Sequence, residues 1–231
     1  ASAAAFGAVI AYLLGLSDVF YGIFAFLAAS GLSLVIFKLA AHTRSISTLL
    51  IVGIAVSSFL GAFTSFAVYL IGEDSFRITA WMMGYLGGAN WQKIALLLPP
   101  LLFCMAYFYA KRHELNIILN GDEEAKSLGL NVEKSKKSLL IVSSLIIGFS
   151  VAFTGMIGFV GLIIPHTLRM ALHTASNAVL IPASALTGGV FLVFCDVIAK
   201  NALSPVEIPI GVVTSFFGAP FFLYLAFRKH A

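Results

Sequence analysis

"KKSLLIVSSLIIGFSVAFTGM", Lys136 to Met156, is two lysines followed by nineteen residues without an ionisable side chain. A helix rises 1.5 Å per residue and needs about 20 apolar residues to cross a hydrocarbon layer roughly 30 Å thick. The run 138–156 meets that length, and it lacks the period-two alternation of a barrel strand. Working outward, comparable apolar runs occupy 2–16, 19–41, 46–71, 91–110, 159–172, 178–199 and 208–227. With 138–156 they make eight membrane-embedded segments; the first is short, and 159–172 is too short to span by itself. The expected fold class is all-α, a polytopic helical bundle.

Composition agrees. At 60% hydrophobic and 10% charged residues, with mean hydropathy +1.02, the chain lies outside the range of soluble domains. Its abundant Phe and Gly suit lipid-facing surfaces and close helix contacts. Cys104 and Cys195 both sit in apolar runs and read as buried thiols rather than a disulfide. A net charge of +4 would suggest an anionic partner for a soluble protein, but here it records basic loops. The opening "ASAAAFGAVIAYLLGL" has no Met and no basic stretch before its apolar residues. It is unlike a signal peptide, and the expectation is a fragment or a chain whose start was removed.

Basic residues set the sidedness. With the tail inside and eight crossings counted back, Lys38, Arg44, Lys111, Arg112, Lys126, Lys134, Lys136, Lys137, Arg169, Arg228 and Lys229 fall on the cytoplasmic side. Arg77, Lys93 and Lys200 fall outside. Eleven against three is a strong positive-inside asymmetry.

One loop stands apart, "KRHELNIILNGDEEAKSLGLNVEKSKK", Lys111 to Lys137. Asn120-Gly121 punctuates a turn, and "DEEAKSLGL" reads as a short helix with acidic residues in its first turn and Gly129 at its C-cap. Such a helix between two spans is either a docking surface for a soluble partner or a solvated connector. No GxxxxGK[ST] phosphate-binding pattern occurs, so nucleotide hydrolysis is not assigned to this chain. In "GFVGLIIPHTLRM", Gly158 to Met170, Pro165 kinks or starts a helix, and His166 and Arg169 reach the inner interface.

Several motifs, in order along nearly the whole chain, resemble the FecCD family, the permease subunits of ABC importers for iron-siderophores, haem and cobalamin. "EEAKSLGLNVEKSK" is similar to its cytoplasmic coupling segment, and "GMIGFVGLIIPHTLRM" to its G-x-I-G-F-V-G-L-x-x-P-H-x-x-R signature. "LIPASALTGGVFLVFCDVIAK" and "VEIPIGVVTSFFGAPFFLYL" resemble the segments that follow, and "WMMGYLGGANW" resembles W-x-x-G-S-L with Tyr85 in place of serine.

The resemblance implies one transmembrane permease domain over 1–231, N-terminally incomplete, carrying about eight of ten expected segments, with the cytoplasmic coupling loop at 112–137. It implies a multi-pass protein of a bacterial or archaeal cytoplasmic membrane, not an enzyme. Its partners would be a second permease copy, two ABC ATPases that bind the ATP and Mg, an extracytoplasmic binding protein and lipid. No cofactor is expected on this chain, and no nucleic acid.

Asp122, Glu123, Glu124, Ala125, Leu128 and Gly129 would form the lever against the ATPase, with the Leu128 contact contributing about 1–3 kcal/mol. Lys200 stands where family members often carry an arginine that pairs with the binding protein; lysine keeps the charge without the bidentate fork. Glu207 would face the same partner or receive a helix N-terminus. Gly155, Gly158 and Gly161 are expected to pack a short helix closely. Pro165 would set its bend, and His166 and Arg169 would share one face of a gate region near the inner mouth.

Asp196, a carboxylate within an apolar run, is either functional or paired with Lys200 at i,i+4. An ion-coupled secondary transporter would need Asp196 at the midplane, but its place near the end of its segment argues against that. A metalloenzyme built on His166, His173 and Asp196 lacks a supporting ligand spacing.

Overall fold

The structure is a computed structural model and describes residues 2–16, 18–42, 46–72 and 75–228; Arg44 and Lys229 of the basic count lie outside them. Every regular element among the described residues is a helix: α1 (Ser2–Leu13), α2 (Asp18–His42), α3 (Ile46–Ile71), α4 (Ser75–Met82), α5 (Trp91–Ala110), α6 (Arg112–Ile118), α7 (Asp122–Ser127), α8 (Val132–Thr154), α9 (Val160–Leu172), α10 (Asn177–Asn201) and α11 (Ile210–Arg228). Helices satisfy their backbone polar groups within the segment, as hydrocarbon requires. Hydroxyls inside them do the same locally: Thr64, Ser143 and Thr154 donate to the carbonyls of Leu60, Leu139 and Ser150.

Each of the eight expected apolar segments is helical. Stretches of α3, α5, α8 and α10 are individually long and apolar enough to cross a membrane, while α1, α9 and parts of α2 and α11 are shorter apolar helices. Three features depart from expectation. The helices α4 and α6 were not foreseen, and α8 starts at Val132 rather than Ser138. That early start has a local cause: the Asn131 side chain accepts from the Lys134 amide at 3.0 Å, and Glu133 occupies the first turn.

The core is built from small residues. α2 packs chiefly between α1 and α8, and Ala4, Ala8, Ala25, Ala29, Val151 and Ala152 form one buried cluster. A Cβ on Gly7 would lie 2.3 Å from the Phe24 carbonyl oxygen, and one on Gly148 would lie 2.6 Å from the Phe26 Cα. At both places two backbones meet with no room for a side chain, the contact that drives helix association where water is absent. Cys195, Ala199, Ile210 and Val213 form a second cluster between α10 and α11. Outside the core, α10 exposes Leu186, Val190 and Val193 at 74, 71 and 65%. In water such a stripe would be an aggregation hazard; against lipid it is an ordinary surface.

Candidate functional site

One end of the bundle carries the loop between α5 and α8. Gly121, with φ +120°, starts α7 in a conformation open to glycine. Ala125 is completely buried beneath the helix, while Leu128 at its end is 64% exposed. The helix closes on Gly129 at φ +82°: the Gly129 and Leu130 amides donate to the Lys126 and Ala125 carbonyls at 2.9 and 3.0 Å. Small Ala125 thus seats α7 and leaves Leu128 standing outward. Asp122, Glu123 and Glu124 are exposed in the first turn. The Asp122 carboxylate accepts from Lys136 on α8 at 2.6 Å, whereas the Glu123–Lys126 pair stays on α7 and is highly exposed.

Three further contacts dock this loop on the bundle. Glu114 accepts from Lys111 and from the Ser135 hydroxyl on α8. Burial raises its carboxyl pKa, but the hydrogen bonds from Lys111 and Ser135 and the lysine charge outweigh that and hold it below the ordinary glutamate value. Lys111 is correspondingly raised by its hydrogen bond to Glu114. Asn116 Oδ1 accepts from both the backbone and side-chain nitrogens of Asn177 at the start of α10, at 2.9 and 2.8 Å. The segment is therefore a platform held on the bundle, with Leu128 projecting from the end of α7 and Leu119 exposed after α6.

Helix α9 carries Pro165, His166 and Arg169. His166 and Arg169 are both exposed, three residues apart on the helix, with the His166 ring edge-on to Phe221 at 6.4 Å. Pro165 lies inside the helix and does not start it; α9 begins after Phe159, whose φ of +65° is left-handed. His173 ends the same helix left-handed and so leaves the register of His166. Among the described residues no group of three His, Cys, Asp or Glu side chains is placed to hold a metal ion. The glycine triplet is corrected: Gly155 is tightly packed, but added Cβ atoms on Gly158 and Gly161 would meet nothing within 4 Å. Spacing by three defines a face only along an unbroken helix, and 155–159 is a break.

At the opposite end, Lys200 Nζ lies 2.7 Å from Asp196 Oδ2, the i,i+4 pair. Lys200 and Glu207 are exposed, and the Ile208 amide donates back to the Ala199 carbonyl at 2.9 Å. Next to them three chain segments meet backbone to backbone. The Tyr85 amide donates to Thr154, the Ile210 amide to Gly84 and the Gly211 amide to Met83, at 2.9, 3.1 and 3.0 Å. An added Cβ would lie 1.8 Å from the Trp81 carbonyl oxygen at Gly155, 2.3 Å from that of Met83 at Gly211, and 3.0 Å from that of Met156 at Gly84. Gly84 and Gly211 lie within quoted motifs, but no local pattern singles them out.

The FecCD transport family matches residues 1–228. The chain is 43% identical to the cobalamin import system permease protein BtuC of Halobacterium salinarum, over 80% of this chain and 49% of that protein. It is 36% identical to the hemin transport system permease protein HmuU of Yersinia pestis, over 89% and 62% respectively. Its fold superposes on a metal-chelate type ABC transporter solved in an inward-facing conformation, with TM-score 0.87 and 30% identity, over 98% of this chain and 73% of that one. The chain thus spans about half of the first relative's length and under two thirds of the second's.

Proposed function

The chain belongs to the FecCD transport family, and from that premise we propose that it is the transmembrane subunit of an ATP-driven importer for an iron-siderophore, haem or cobalamin. The observation that carries the proposal is the platform at α6 and α7, pinned to α8 and α10 and projecting Leu128. A permease without a phosphate-binding motif receives its work through contact, and an apolar side chain on a fixed short helix is suited to a groove on a soluble ATPase. In this reading 112–137 is cytoplasmic, ATP and Mg bind to the ATPase pair, and closure of that pair pushes α7. Two permease copies enclose the pathway, and the alternation between outward-open and inward-open states follows from differential contacts in the two states.

Lys200 and Glu207, exposed at the other end, supply charges to an extracytoplasmic binding protein. His166 and Arg169 stand near the inner mouth as part of the gate. Asp196, the carboxylate that an ion-coupled mechanism would use, is engaged by Lys200 near the end of its helix. That supports the ATP-driven reading over the ion-coupled one.

The test is uptake of a labelled ferric siderophore, haem or cobalamin in proteoliposomes holding the permease, its ATPase and its binding protein. Uptake should require ATP and fall at least tenfold in Leu128→Asp, with the complex still assembled. Uptake that persists without the ATPase and follows an ion gradient would overturn the proposal.

A further inference from the structure

Helix α8 has its two ends tied into polar constructions on opposite sides of the bundle. Its first turns receive α7 through Asp122–Lys136 and α6 through Glu114–Ser135. Its last carbonyls belong to the joint described above: Val151 accepts from the Gly155 amide, and Thr154 accepts from Tyr85. From there the same joint continues into α11 through Gly84–Ile210 and Met83–Gly211. Between the two ends run about 35 Å of continuous helix, which is slightly more than the hydrocarbon thickness.

We propose that α8 is a strut that transmits a displacement of the α7 platform to Tyr85, at the near end of the Tyr85–Asn90 loop. The inference rests on the reading given under Proposed function, because it is the ATPase that displaces α7.

The physical case is that the joint end has no slack, while α7 follows on the other end through the short 128–131 link and the Asp122–Lys136 pair. At the joint, glycine lets three backbones touch directly, so no flexible side chain lies between them to absorb a displacement. Sliding α8 there would break the Tyr85–Thr154 bond and disturb the close packing of Gly155 on the Trp81 carbonyl. Along its length α8 also lies backbone to backbone against α2 at Gly148, and Cys104 of α5 approaches the Val142 carbonyl at 3.7 Å. The surrounding helices therefore guide α8 rather than cushion it. The loop that it would carry is held at its far side by the Asn90 cap on α5 and by Lys93 donating to the Gly88 carbonyl at 3.1 Å. A shift of α8 therefore strains 85–90 between two anchors and changes its shape.

The experiment places a nitroxide at Gly88→Cys in the assembled transporter. Cys104 and Cys195 are both fully buried and stay unlabelled. Spectra are recorded with and without a non-hydrolysable ATP analogue, and uptake is measured in parallel. A nucleotide-dependent change in label mobility is expected. It should fall by at least half in Gly211→Ala, which drives a methyl into the Met83 carbonyl, and in Lys136→Gln, which releases α7 from α8. Gly189→Ala, facing open space on α10, should leave the change intact.

Because Lys136 is half-buried at the surface and its partner Asp122 is exposed, its variant keeps the test decisive if Gly211→Ala fails to fold. A full-sized change in Lys136→Gln, or active uptake with no change at Gly88 in the unaltered protein, would overturn the strut while leaving the transport reading in place. Absence of ATP-dependent uptake altogether would overturn the reading it rests on.

Discussion

At Gly155 a single methyl group separates a tolerated backbone from a forbidden one. The residue has φ +68°, and its missing Cβ would stand 1.8 Å from the Trp81 carbonyl oxygen. Gly155→Ala is expected to destabilise the protein by at least about 2 kcal/mol, from conformational strain and overpacking together. Gly161, on the helix α9 with open space at its Cβ position, should behave oppositely: Gly161→Ala stabilises by about 0.5–1 kcal/mol through lower chain entropy. Thermal unfolding in detergent, followed by helicity, measures both, and equal effects at the two positions would contradict the local geometry. This contrast also shows what could be read beforehand. Asp196–Lys200 and His166–Arg169 were legible because each pair lies within one helix, where spacing alone makes neighbours. The partner of Gly155 is a carbonyl on α4, far away in the chain, and no local pattern announces it.

Among elements, α7 was readable and α6 was not, for a reason visible in their bonds. The acidic first turn of α7 and its Gly129 cap are local signals. α6 is held instead by Glu114 to Ser135, 21 residues on, and by Asn116 to Asn177, 61 residues on. A polar stretch whose partners are that distant looks like a solvated connector. The same contacts give α6 a pH dependence. The carboxyl of Glu114 sits below its ordinary value in the folded chain, so the unfolded chain binds that proton more readily. The stabilisation from Glu114 is complete above the ordinary glutamate value and is lost as pH falls through the folded one. Its loss, on the order of 1 kcal/mol, should appear as several-fold faster amide exchange over 112–118 below that range, after correction for intrinsic rates. Glu114→Gln should exchange fast at neutral pH and show no such step. A pH step that survives the substitution would assign the effect to another group.

Seen whole, the molecule has two polar ends and a wide apolar belt, and its sidedness decides whether the two ends can serve their proposed partners. Sequence made the belt plain through composition and the end assignment through the distribution of Lys and Arg; the close contacts of α1, α2 and α8 that fill the belt depend on which small residues meet and were not readable. The structure places α6, α7 and the starts of α8 and α10 together, and the ends of α4, α8 and α10 together with the start of α11. That arrangement is consistent with alternating passage of α8, α9, α10 and α11. Single cysteines then test the direction of the whole stack. Leu203, 62% exposed beyond α10, and Ser127, exposed at the end of α7, lie at opposite poles, and the native thiols are buried. In intact cells, a membrane-impermeant maleimide should label Leu203→Cys at once and Ser127→Cys only after permeabilisation. The reverse pattern would put Leu128 out of reach of any cytoplasmic ATPase. The platform would then face the binding protein, and Lys200, with its carboxylate neighbour, would have to be reconsidered as the cytoplasmic contact.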